Sequence, residues 1–161
     1  MKICNSEAMK KIKALEAQKR QLAFKEERRS RISYREGEER RPTGYDYAKT
    51  REEFAAIDRE IRRIKHALAL ANCTAKVEGF DMTIGEALVC LAQYNAEYER
   101  LDELSGCDKL SRRITSNGVL EYTESLFDPE EAERDQESLY STILKLQVAI
   151  DRANFNTTIE I

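Results

Sequence analysis

Tryptophan is absent from this chain, histidine occurs once, and 161 residues include only two prolines and six glycines. A single histidine leaves little room for acid–base or triad chemistry built on imidazole. No Gly-x-Ser-x-Gly, His-x-x-Glu-His or phosphate-loop pattern accompanies His66, which reads as an exposed or rim residue on a basic helix flank. No catalytic residue is assigned. The four cysteines, Cys4, Cys73, Cys90 and Cys107, form no Cys-x-x-Cys pair and have no nearby histidine to complete a zinc site. They are expected to be buried or half-buried reduced thiols, and no metal or cofactor is expected. No apolar run approaches the ~20 residues of a membrane span, and Met1 to Asn5 lead straight into charged sequence without a signal-peptide stretch. The expectation is a soluble cytoplasmic protein without an integral membrane segment. Few aromatics leave Ile, Leu, Ala and Tyr to fill the core, which suits helix seams better than a ligand pocket.

What is present is a pattern written twice. A shift of residues 29–78 by 82 positions places Ile57 on Leu139, Ile61 on Ile143, Ile64 on Leu146, Leu68 on Ile150 and Val77 on Ile159. Polar marks coincide too: Arg31-Ile32-Ser33 with Arg113-Ile114-Thr115, Asp46 with Asp128, and Ala71-Asn72 with Ala153-Asn154. This predicts one domain over 1–161, with repeat 1 at about 1–79, repeat 2 at about 80–161, and a pseudo-twofold design.

The elements follow from spacing. Residues 6–35 are rich in strong helix formers with no glycine before Gly37, and predict one long helix with its seam on Ala8, Ile12, Leu15, Lys19 and Leu22. Gly37, Pro42 and Gly44 predict a loop or irregular hairpin over 36–46. Asp46 or Thr50 caps a second helix to Asn72, whose stripe runs Phe54, Ile57, Ile61, Ile64, Leu68, Ala71. Thr74 to Val77 reads as extended. Thr83 caps a third helix of about 22 residues, corresponding to the first under a shift of 79. Asn117-Gly118 between β-prone stretches predicts a short hairpin with a type I′ turn. Asp128 with Pro129 opens the last helix, striped by Leu139, Ile143, Leu146, Ile150 and Ala153. Glu130, Glu131 and Glu133 sit in its first turn, where they complement the helix dipole rather than hold a metal. The tail 156–161 is expected to be extended and to pair with 74–77. The fold class is therefore mainly α: a four-helix antiparallel, coiled-coil-like bundle with internal duplication and a small β-hairpin.

The Glu36-Gly37-Glu38-Glu39 turn, the helix ending in Ala71-Asn72-Cys73-Thr74, the Met82-Thr83-Ile84-Gly85-Glu86-Ala87-Leu88 start, the Ser111-Arg112-Arg113-Ile114 hairpin and the Thr157-Thr158 tail resemble the septicolysin-like family of small bacterial helical proteins over nearly the whole chain. The family pattern has Thr before the helix-ending Asn and Trp after the last Asn, where this chain has Ala71 and Phe155. The resemblance implies a small helical protein, and the family name suggests a cytolysin. It assigns no residue a chemical role.

Charge is divided unequally. Residues 1–80 carry 20 Lys or Arg against 13 Asp or Glu, and residues 81–161 carry 7 against 17. Opposite charge on the two repeats favours their native pairing, or head-to-tail or antiparallel association of chains. The reading is a non-enzymatic structural or interaction protein that forms a homo-oligomer and engages an unidentified protein partner. Its exposed seam is expected on the first helix with Phe24 and the third with Tyr94 and Tyr98. The alternative is a nucleic-acid-binding module using Arg28, Arg29, Arg31, Arg40, Arg41, Arg62, Arg63 and Lys65, with Tyr34, Tyr45 and Tyr47 stacking on bases. Interleaved glutamates and an acidic second half weigh against it. The second alternative, a membrane-active protein, would need helices that present a broad apolar face to lipid.

Overall fold

The computed structural model describes residues 1–161 and is mainly helical: α1 (Asn5–Arg29), α2 (Tyr47–Thr74), α3 (Ile84–Ser105) and α4 (Pro129–Asn156). Strand β1 (Lys2–Cys4) pairs antiparallel with β4 (Thr158–Glu160), and β2 (Leu110–Ile114) pairs antiparallel with β3 (Leu120–Glu124). The mainly α class with four helices and a small hairpin is the one the sequence predicts. The chain divides into two compact units, one of residues 1–74 with 154–161 and one of residues 75–153. The short tail of each repeat thus belongs to the unit that holds the other repeat's helices.

In the first unit, Ala8 and Ile12 of α1 and Ile64 of α2 enclose a core completed by Ile159 of β4, with Ile61, Leu68 and Ala71 packed around it. In the second unit, Ile84 and Ala87 of α3 and Leu146, Ile150 and Ala153 of α4 do the same around Val77. Under the repeat shifts, Ala8 answers to Ala87, Ile64 to Leu146 and Ile159 to Val77. Ile143, expected in the core, is buried, while its counterpart Ile61 is only half-buried.

The backbone closes both cores in the same way. Asn5 N donates to Thr157 O at 3.0 Å in the first unit, and Ile84 N donates to Ala75 O at 2.9 Å in the second. Cys4 pairs with Thr158, and Thr83 bridges to Lys76, which are equivalent positions. Cys4 and Thr83 are also the N-caps of α1 and α3. Each accepts from the backbone N–H three residues on, and Glu7 or Glu86 accepts in return from the cap N–H, completing a capping box. Those bonds hold both carboxyls below the ordinary glutamate range. The expected pairing of the 156–161 tail with 74–77 is therefore corrected. Each tail meets the residues that lead into a long helix, because there its one inward side chain fills the open end of a helix seam.

Other boundaries shift for local reasons. Helix α1 stops at Arg29, not near Arg35, because beyond Phe24 no apolar residue of the seam remains to be buried. Helix α2 runs past Asn72 to Thr74, and the Asn72 side chain instead accepts from fully buried Asn5 Nδ2 at 3.3 Å, as does Asn154 at 3.4 Å. The hairpin turn is not type I′. Gly118 N donates to Thr115 O and Thr115 N to Val119 O, which leaves a three-residue loop in which only Gly118 takes positive φ, at 75°. A type I turn closed by a glycine bulge spares Asn117 the left-handed conformation. Segment 30–46 forms no paired strand.

If the tails close the cores, Ile159→Ala and Val77→Ala should each destabilise the fold, by about 2–4 and 1–3 kcal/mol respectively. Leu126→Ala, at a side chain 96% exposed, should change stability by no more than about 0.5 kcal/mol. Urea unfolding midpoints check all three.

Candidate interaction surface

Side chains on a strand alternate between faces, so the register of β2 and β3 sorts the hairpin into two unlike surfaces. Arg113 lies opposite Glu121 and Ser111 opposite Thr123 on one face. Arg113 Nε donates to Glu121 Oε2 at 2.6 Å, so that face is polar and internally neutralised. On the other face Ile114 lies opposite Leu120, Arg112 opposite Tyr122 and Leu110 opposite Glu124. Leu110, Ile114, Leu120 and Tyr122 are 60%, 73%, 47% and 60% exposed. All ten strand residues are exposed, so nothing in the chain packs on this apolar face.

The hairpin is anchored only at its base. Ser125 N donates to Lys109 O at 3.0 Å, Ser125 Oγ to Asp108 O at 2.8 Å, and Lys109 Nζ to Phe127 O at 2.7 Å. A two-stranded sheet without a partner is marginal in water, and this one exposes the apolar side chains that a partner would bury.

The seam expected on α3 is elsewhere. Tyr94 is half-buried against the second core, and Tyr98 is half-buried with its ring 5.8 Å from that of Tyr140. Both are turned into their own unit because the α3 stripe is consumed by α4 and Val77. Phe24 on α1 is exposed as expected, at 57%, with the Arg28 guanidinium 5.4 Å above its ring. A smaller apolar area on α4, formed by Leu144 and Val148, borders a shallow groove of about 400 Å³ with Phe80.

The basic segment offers less than its composition suggests. Arg40 lies 5.0 Å over the Tyr34 ring and donates to its hydroxyl at 2.7 Å, so one face of that ring is covered by the chain's own cation. Tyr47 is exposed, whereas Tyr45 is half-buried and donates to Glu26 Oε1. Thr43 Oγ1 also donates to Arg29 O, and Asp46 Oδ1 accepts from Lys49 N at 3.0 Å. The end of loop 30–46 is thereby tied back to α1 where α2 begins. The loop encloses a polar hollow of about 580 Å³ in which Glu38 and Glu39 stand beside Arg41. His66 is exposed, as expected. All four cysteines are free, but only Cys4 and Cys90 are half-buried; Cys73 and Cys107 are exposed, contrary to expectation, because they fall just past the ends of the apolar stripes. No group of three or more His, Cys, Asp or Glu side chains is disposed to hold a metal, and no helix is long and apolar enough to cross a membrane.

Neither a known protein family nor a curated protein matches the chain. Among solved structures it is similar to the crystal structure of a functionally unknown conserved protein from Corynebacterium diphtheriae, with a TM-score of 0.71 at 14% identity over 99% of this chain and 100% of that one. At that identity the likeness defines a shared fold, that of a mainly α protein with four helices and a small hairpin.

The clamp on loop 30–46 has a spectroscopic signature. Its hydrogen bond to Glu26 pushes the Tyr45 phenol up to about 12. Because the folded value lies above the ordinary value of 10.0, the bond's contribution to stability is complete below pH 10 and is lost as pH rises through about 12. Ultraviolet titration should show late-ionising tyrosine absorbance that diminishes in Tyr45→Phe and moves down in Glu26→Gln, leaving the Tyr94 phenol, which its hydrogen bond with Cys90 also raises. A wild-type curve without a late component would mean the clamp does not hold in solution.

Proposed function

We propose that this is a non-enzymatic structural or interaction protein that works by self-association. The observation that carries the reading is the apolar face of the β2–β3 hairpin, which holds four large apolar side chains in water while every other strand segment of the chain is used to close a core. Exposed apolar residues scattered singly need no explanation, but four of the six side chains on one face of a regular ladder make a surface with a use. The resemblance to the septicolysin-like family is compatible with this reading and adds no chemistry to it.

An apolar interface resists salt, whereas association driven by the unequal charge of the two repeats would not. Light scattering across a dilution series, at low and at high salt, should show a mass that rises with concentration from 18.6 kDa at both salts. A mass that stays monomeric at every concentration contradicts the proposal.

A further inference from the structure

The hairpin has two edges as well as a face, and the edges are not equivalent. The ladder bonds Thr115 N to Val119 O and Ser125 N to Lys109 O fix which residues of β3 turn their backbone toward β2. These are Val119, Glu121, Thr123 and Ser125, in every second position. The intervening residues, Leu120, Tyr122 and Glu124, direct their N–H and C=O groups away from β2 along an open edge. Those three are also the residues whose side chains lie on the hairpin's apolar face.

We infer that the β3 edge is the docking site for a second copy of this chain, pairing β3 with β3 antiparallel about a two-fold axis through Tyr122. The occupant follows from complementarity. Centring the pair on Tyr122 sets Leu120 opposite the other copy's Glu124, Glu121 opposite Thr123, and Tyr122 against its own counterpart. No like charges oppose one another, and Glu121 is already held by Arg113 at 2.6 Å. The outward-facing backbone groups of Leu120, Tyr122 and Glu124 then all find partners in the same register. The same operation on the β2 edge would bring Arg112 against Arg112, which disfavours it. Pairing at β3 turns two marginal two-stranded sheets into one of four strands, ordered β2-β3-β3-β2, with the two Tyr122 rings adjacent on one face.

The inference rests on the self-association reading and is tested by two substitutions of opposite sign at one exposed residue. Leu120→Glu places a carboxylate opposite Glu124 twice per dimer and should weaken association about tenfold. Leu120→Lys places an ammonium opposite Glu124 twice and should leave association as strong as in the wild type or stronger. Dissociation constants come from sedimentation of the full chain, and circular dichroism confirms that the helices are intact. Because residue 120 is exposed, neither change threatens the cores. Retention with Lys and loss with Glu supports the β3 edge. Equal weakening by both would mean a general apolar contact, and indifference to both would place the interface elsewhere; either overturns the edge pairing while leaving self-association standing. A wild type that is monomeric at every concentration overturns both.

Discussion

A pair of amphipathic helices of this length leaves one end of its seam open, and the rest of the structure depends on what closes it. In each unit the plug is one β-branched side chain on a short extended segment, Ile159 in the first and Val77 in the second, buried to 5% and 1% exposure. Each plug lies at the end of one repeat and is buried among the helices of the other. The cores are small, and no side chain within them is larger than Leu or Ile. Losing one such residue removes a large share of what holds its unit together.

Closure by a tail sets where the chain can spend its remaining apolar residues. The helix stripes are consumed by the two cores, and the strands nearest the helix starts are consumed by pairing, β1 with β4 and Lys76 with Thr83. The β2–β3 hairpin is the one regular element with no partner. The corresponding segment of repeat 1, residues 30–46, has no ladder and is held by side-chain bonds from Tyr45 and Thr43 to α1. The two repeats therefore share their cores and caps and differ in their connections.

Much of this was legible in the sequence. The Thr83 cap, the 22 residues of α3 and the Asp128-Pro129 start of α4 all follow from spacing and capping chemistry. Strand β1 did not, because three residues with one inward side chain, Ile3, give no period to detect. Cys4 was opaque as a cap since thiols are poor acceptors; only its equivalence to Thr83 reveals the role. The exposed seam was misplaced onto Tyr94 and Tyr98 because periodicity shows that a helix face is apolar, not which neighbour covers it. The hairpin face could be seen only once the register was known, since moving the pairing by one residue exchanges the polar and apolar sets.

Hydrogen exchange resolved by residue, at several protein concentrations, tests most directly the claim that the tails are integral to the cores while the hairpin alone awaits a partner. The account predicts that the amides of Asn5, Val77 and Ile84 exchange slowly at every concentration. The amide of Tyr122, which faces away from β2, should exchange fast in dilute solution and slow as copies associate. Fast exchange at Val77 and Asn5, or exchange at Tyr122 that ignores concentration while the chain associates, would contradict it.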